Sequence, residues 1–241
     1  DKVKLNYNLE NYKNYDQYKI LGKGSMGCII YPAISNLCPD KYNYVSKLGN
    51  DASLEHEYNI YQQLPECLTS ECPYFNKNDI ILEELTNEEK NEISNICSYV
   101  STSNEYYLTM PRFIGTDMFK FFDDNKKINI KDWYDIVYKC LKFYYSIKKL
   151  NYIYNFTHGD LNFGNIINTD NKLIMIDFGF SFFGKNVYKK RHTSDDIRLN
   201  ELLKAVIILG EKNNFIRIEN FKYNDLDNLK IIEYIIENKY L

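Results

Sequence analysis

The chain lacks the features that would commit it to a membrane, a metal cluster or a nucleic acid. No run of about 18 apolar residues occurs, so no transmembrane helix is expected. The first residues, Asp1 to Tyr18, are polar and rich in Tyr and Asn, unlike a secretory leader, and read as a loosely ordered lead-in over 1–17. The net charge is −3, so no overall field favours nucleic acid, and neither nucleic acid nor a membrane is expected as a partner. None of the six cysteines (Cys28, Cys38, Cys67, Cys72, Cys97, Cys140) makes a Cys-x-x-Cys pair, and no His lies at zinc-finger spacing. Buried reduced thiols are therefore expected, and with them a reducing, cytoplasmic compartment. There are no repeats and no Gly/Ser linker.

What is present is a globular composition. Hydrophobic residues make up 44% and charged residues 26% of 241 positions, enough for one large or two modest domains. Tyr18–Leu21, a Gly-containing turn and Cys28–Tyr31 read as strand, turn and strand, and Tyr42–Leu48 as a third strand. Asp51–Leu64 reads as a helix capped by Asp51 or Ser53 and stopped by Pro65. The stretch from Pro65 to about Lys90 reads as an irregular connection holding one element of uncertain type around Ile80–Leu82. Ile93–Val100 and Tyr106–Met110 look like a hairpin turning through 101–104. Asp117–Phe122 reads as a short helix, and Asp132–Tyr152, apolar at a 3.6-residue period, as a long one. Two short strands, Ile166–Ile167 and Leu173–Ile176, precede helices at Asp195–Leu209 and Asp225–Tyr240. Strands early and helices late suggest two lobes with a cleft between.

The most informative stretch is Thr157-His158-Gly159-Asp160-Leu161-Asn162-Phe163-Gly164-Asn165-Ile166, with Asp177-Phe178-Gly179 beginning eleven residues after Ile166. An Asp, an Asn five positions on and a second Asp at the end of an apolar strand form a phosphate-transfer constellation. Asp160 can orient an attacking hydroxyl and receive its proton. Asn165 and Asp177 offer hard oxygens to Mg²⁺, which keeps several waters and needs few protein ligands. His158 is expected to brace the loop, and His56 and His192 to be ordinary polar or partly buried histidines. Gly22-x-Gly24-x-x-Gly27-x-Ile29 lies between two strands, where backbone can approach nucleotide phosphates; a dinucleotide fingerprint would instead open a helix. Lys47, within a strand, can neutralise phosphate charge. Glu57 on the next helix is its expected carboxylate partner, and Glu55 the alternative.

With these residues the chain resembles the eukaryotic-like protein kinases over about Tyr18 to Leu209. The resemblance implies an α+β fold: a bilobal protein-kinase-like architecture, with an N-lobe antiparallel sheet plus one helix over 18–110 and a hinge and reduced helical C-lobe over 111–241. It implies ATP and Mg²⁺ as cofactors, transfer of the γ-phosphate to protein Ser/Thr hydroxyls, and catalytic roles for Asp160, Lys47 and Glu57. Leu21, Gly22, Lys23, Gly24, Ser25, Met26, Gly27, Ile29 and Lys47 resemble the ATP-binding residues of the first three strands. Met110 resembles the gatekeeper, Pro111 and Phe113 the adenine-binding hinge positions, and Asn165 and Asp177 the metal ligands. Pro111 is compatible because only its carbonyl is needed.

The chain departs from that pattern in four places. Gly159 stands where most protein kinases have Arg, which argues against activation by loop phosphorylation. Asn162 stands where Ser/Thr kinases usually have a γ-phosphate-binding Lys. No Ala-Pro-Glu follows, and Asp195 begins the next helix about 18 residues after Asp177. His-Gly-Asp-Leu with Asn also resembles small-molecule phosphotransferases of the aminoglycoside and choline type, which is the alternative activity; a nucleotide-binding pseudokinase scaffold is a third. Compact kinases of large DNA viruses share the reduced C-lobe, and the Asn-, Lys-, Ile- and Tyr-rich composition agrees with an AT-rich source of that kind, placing such a protein in host cytoplasm or virion. Lys185, Lys189, Lys190 and Arg191 would suit an acidic protein substrate.

Overall fold

The structure, a computed structural model, describes residues 18–23, 27–35, 37, 40–66, 72–97, 105–184, 195–217 and 227–238. The class is mixed α+β, with an antiparallel sheet near the N-terminus and six α-helices among the described residues. Two compact units are present: residues 1–55 with 80–112, and residues 56–79 with 113–241.

The first unit is built on five antiparallel strands: β1 (Lys19–Lys23), β2 (Gly27–Tyr31), β3 (Tyr44–Gly49), β4 (Ile81–Glu84) and β5 (Tyr106–Pro111). Their order is β1-β2-β3-β5-β4. Cys28 opposes Leu48, and Ile30 opposes Ser46, so one face of the sheet is closed by Cys28, Ile30 and Leu48 with Ile34, Leu85, Ile93, Cys97 and Tyr107. Ser46 is buried yet satisfied: its hydroxyl accepts from Ile34 N–H at 2.9 Å and lies 3.5 Å from the Thr109 hydroxyl. Thr109 in turn donates to Glu83 at 3.1 Å, carrying the polar row across three strands. Gly27 has to be glycine, because a Cβ there would lie 1.9 Å from the Leu48 carbonyl oxygen.

Three expectations are corrected in this unit. Ile93 and Ser94, expected to open the first strand of a hairpin, instead close helix α2 (Asn87–Ser94), which follows α1 (Asp51–Gln63), a helix whose residues up to Glu55 belong to this unit; the second expected strand, Tyr106–Met110, lies within β5. A capping box decides it: Glu89 N–H donates to the Thr86 hydroxyl at 3.2 Å, and the Glu89 carboxylate accepts from Thr86 N–H at 2.8 Å. The partner of β5 is then β4, the element left without a type; residues 98–104 lie outside the described set. At the start of α1, Asn50 rather than Asp51 or Ser53 accepts the free N–H groups, through its carbonyl and its side chain. The Asp51 carboxylate instead receives Glu105 N–H at 3.1 Å and Tyr106 N–H at 3.1 Å, fixing the entry to β5.

The third correction concerns the thiols. Cys28 and Cys97 form a disulfide across 69 residues of sequence, and Cys72 is also disulfide-bonded, while Cys140 is free and buried. Register explains the first pair, since Cys28 points from β2 into the same cluster that receives Cys97 from the end of α2. Spacing alone carries no such information. Burial pushes the Cys140 thiol well above its usual value, out of reach of ionisation. The expectation of a reducing compartment rested on free thiols and does not carry over. No helix among the described residues is long and apolar enough to cross a membrane.

The second unit is organised by α4 (Ile130–Tyr154), preceded by the short α3 (Met118–Asp124) and followed by α5 (Asp195–Lys212) and α6 (Asn228–Glu237). Of the apolar period expected for α4, Trp133, Ile136, Val137, Cys140, Ile147 and Leu150 form the buried face, joined by Phe143, whereas Leu141 and Tyr144 are only partly buried. Trp133 donates its indole N–H to the Val206 carbonyl of α5 at 2.9 Å. Asn155, in the left-handed region at φ 50°, ends α4 and releases the chain into the segment that matters most. That segment is a ribbon of short strands, β7 (Phe156–Thr157), β8 (Ile166–Asn168), β9 (Leu173–Met175) and β10 (Phe182–Phe183), joined by β6 (Thr116–Asp117) from ahead of α3. Strand β8 pairs with both β6 and β9, and β7 pairs with β10.

Candidate functional site

The ribbon folds the Asp160 loop and the Asp177 turn onto one another. β7 and β10 pair Thr157 with Phe182 and Phe156 with Phe183, closing the base of everything between them. The β8–β9 hairpin pairs Ile166 with Met175, and Ile176 N–H then donates to the Asn165 carbonyl at 3.0 Å. Asn165 and Asp177 therefore emerge at the same end of one hairpin.

Asp160 is held by two amides. Asn165 Nδ2 donates to its carbonyl at 2.8 Å and to its Oδ2 at 3.0 Å. Asn162 Nδ2 donates to its Oδ1 at 3.0 Å. With Nδ2 of Asn165 committed to acceptors, its Oδ1 is the atom left to meet a cation. Asp177 sits in the left-handed region at φ 64°, ψ 75°, an uncommon conformation for a residue other than glycine. An amide oxygen and a carboxylate are hard donors of the kind Mg²⁺ takes, with phosphate and water completing its shell. No group of three or more His, Cys, Asp or Glu able to hold a metal occurs among the described residues. The pair could thus hold a cation together with a bound phosphate rather than as a closed protein cage.

His158 is fully buried beneath this loop. Its Nδ1 accepts from Asp160 N–H at 3.4 Å, so the ring proton is on Nε2 and faces the Ile176 carbonyl at 3.0 Å. Burial holds the imidazole below its usual value, which keeps it neutral. One ring thereby ties the Asp160 loop to the residue before Asp177, a bracing role. Gly159, at φ 81°, admits no side chain: a Cβ would lie 2.4 Å from the Phe180 carbonyl oxygen.

The turn after Asp177 is fixed from α1. Glu57 is buried, and its Oε1 accepts from Phe178 N–H at 3.2 Å, whereas Glu55 is exposed. Phe178 packs against Tyr61 at 4.6 Å, His158 at 5.2 Å and Phe156 at 6.0 Å between ring centroids. His56 bonds the Ser181 carbonyl at 2.9 Å, within the polar or partly buried role expected of it.

Three further residues escaped the sequence reading. Asp195, which reads only as a helix start, is buried and accepts His158 N–H at 2.9 Å and Gly159 N–H at 3.2 Å. Ser181 donates to the His158 carbonyl at 2.9 Å. Tyr61 keeps a buried hydroxyl with no hydrogen-bond partner among the described residues, beside the charges of Glu57 and Asp177, and burial raises it well above the usual phenol range. The only hint of Asp195 was a pair of acids opening a helix, a pattern equally consistent with a dipole-facing pair.

In the first unit, Leu21, Gly22 and Lys23 lie on β1, Gly27 and Ile29 on β2, Lys47 on β3, and Met110 and Pro111 on β5. Ile29 opposes Lys47, which opposes Leu108, so these three share the sheet face away from Cys28, Ile30 and Leu48. Lys47 is buried on that row. Phe113, the first residue back in the second unit, stacks on Phe75 at 4.0 Å. Gly24, Ser25, Met26, His192 and the Lys185–Arg191 cluster lie outside the described residues, as does the 1–17 lead-in. No protein-family model matches the chain, and no curated protein matches it.

Proposed function

We propose that the chain is a phosphotransferase, a small protein kinase that transfers the γ-phosphate of ATP to Ser/Thr hydroxyls of a protein. The observation that carries this reading is the Asp160–Asn165–Asp177 assembly: a carboxylate oriented by two amides, next to an amide oxygen and a second carboxylate at one hairpin end. Asp160 orients the acceptor hydroxyl and takes its proton. The hydroxyl oxygen forms the new bond to the γ-phosphorus, the bond to the β,γ-bridging oxygen breaks, and ADP leaves. Asn165 and Asp177 would hold Mg²⁺, which would supply charge neutralisation at the phosphates. The kinase resemblance would assign phosphate contacts to Lys47, Gly22, Gly24 and Gly27 and base contacts to Met110, Pro111 and Phe113, while Glu57 anchors the turn that presents Asp177.

The finer architecture belongs to the same proposal: the first unit is the counterpart of the kinase N-lobe and the second of a reduced C-lobe. The lack of room for a side chain at Gly159 supports activity that needs no phosphorylated segment, since the Arg that would read such a phosphate has no place there. The test is Mg²⁺-dependent transfer of labelled γ-phosphate from ATP to generic protein acceptors and, in parallel, to a panel of aminoglycosides and choline-like alcohols. Label on protein Ser/Thr supports the reading. Label on the small alcohols alone replaces the acceptor class, and tight nucleotide binding without transfer to either replaces the enzyme with a scaffold.

A further inference from the structure

Resting on the phosphotransferase reading, we propose that Asn162 is a positioning residue for the reaction: it sets the orientation of the Asp160 carboxylate and makes no phosphate contact.

The orientation of its amide is fixed by its neighbours. Gly164 N–H donates to Oδ1 at 2.8 Å, and a backbone N–H can only donate, so Oδ1 must face it. Nδ2 is thereby turned to Asp160, 3.0 Å from Oδ1 and 3.4 Å from the carbonyl oxygen. The main chain adds a third tie, with Asn162 N–H donating to the Asp160 carbonyl at 2.8 Å. Both ends of the side chain are thus occupied within the loop, and a phosphate contact would require breaking these bonds.

The effect on Asp160 is specific. Asn165 holds Oδ2 at 3.0 Å, and Asn162 holds Oδ1. A carboxylate oxygen accepts about two hydrogen bonds, so each keeps one lone pair in a fixed direction for the acceptor hydroxyl. With one amide missing, the carboxylate can rotate about its Cβ–Cγ bond, and misplacement of this kind costs up to about a hundredfold in rate. Asn165 is constrained at its other end by the cation it is proposed to bind. Both ends of the Asn162 side chain serve the loop itself, so its hold on Asp160 does not depend on a cation.

Asn162 also accepts for the 3-10 turn at Phe163–Asn165, so a variant must separate that role from the clamp. Asn162→Asp keeps an acceptor for Gly164 N–H and removes the donor to Asp160. Asn162→Ser keeps a shorter acceptor without adding a second carboxylate. The measurement is steady-state transfer of γ-phosphate with MgATP and the best acceptor found, beside thermal unfolding and the Asp160→Ala control. Both variants are expected to lose about ten- to a hundredfold in kcat, with KM for MgATP within about twofold of wild type and unfolding midpoints close to it. Wild-type kcat in both variants, against an inactive Asp160→Ala, overturns the role of Asn162 and leaves the phosphotransferase reading standing. A raised KM for MgATP with kcat unchanged also overturns it, because that is the signature of a ground-state phosphate contact. A wild-type protein that neither binds MgATP nor transfers phosphate overturns both.

Discussion

The sheet of the first unit and the 156–183 ribbon of the second both present candidate functional side chains, and they hold them by opposite means. In the sheet, Lys47 and Ile29 are placed by register: once Cys28, Ile30 and Leu48 face the core, the residues between them must face the other way. In the ribbon, Asp160 and Asp177 sit on irregular backbone, with Gly159 at φ 81° and Asp177 at φ 64°. There the chain is fixed by polar side chains that bond main-chain groups: Asp195, Ser181, Glu57 and Asn162. A sheet tolerates change at single positions because its ladder is redundant. The ribbon hangs on individual bonds, and strained geometry persists only where its surroundings enforce it.

The strongest way to test the difference is on activity. Asp160→Ala and Asp177→Ala should each cut phosphoryl transfer by at least about a hundredfold while leaving the unfolding midpoint near wild type. Equal losses of activity and of folding would mean that the ribbon carboxylates are structural. Next in size is Asp195→Ala. It leaves the buried N–H groups of His158 and Gly159 without an acceptor, a loss of about 3 kcal/mol by urea unfolding. Transfer should fall with it, because the Asp160 loop loses its anchor.

The sheet is probed through its covalent tie. Replacing Cys28 and Cys97 together by Ser should lower stability by about 2–3 kcal/mol in a denaturant series. Residual transfer measured below the new midpoint should stay near wild type, since register and not the disulfide places Lys47. The smallest effect is on pH. Burial holds the His158 imidazole below 6.5, so the unfolded chain binds the proton first as pH falls. The stability associated with neutral His158 is intact above the unfolded pKa and declines as pH drops below it toward the lower folded value. Denaturant midpoints at about pH 7.5 and about pH 5.5 should differ more for wild type than for His158→Gln.

The same contrast explains what the sequence shows and what it hides. The strands β1 to β3, the long helix α4 and the Asp160–Asn165–Asp177 spacing are readable because each follows a period or a fixed interval. The amphipathic period of α4 runs from Trp133 to Leu150 and maps onto its buried face. The Glu57–Phe178 bond was not readable, although burial in the structure separates Glu57 from Glu55. Helix α2 was missed because Ile93 to Val100 is apolar enough for a strand, and the Thr86–Glu89 capping box decides the matter one turn earlier. The disulfide was missed because Cys28 and Cys97 stand 69 residues apart and meet only after the sheet forms. Asp195 was missed for the same physical reason: its partners, His158 and Gly159, are more than thirty positions away and offer only backbone.

The most direct test of the central claim is MgATP-dependent transfer of labelled γ-phosphate by the wild-type chain beside Asp160→Ala, with nucleotide binding measured on both. The account predicts transfer by wild type alone and similar nucleotide affinity in the two proteins. Transfer by both at equal rates, or Mg²⁺-independent nucleotide binding with no transfer by either, would contradict it.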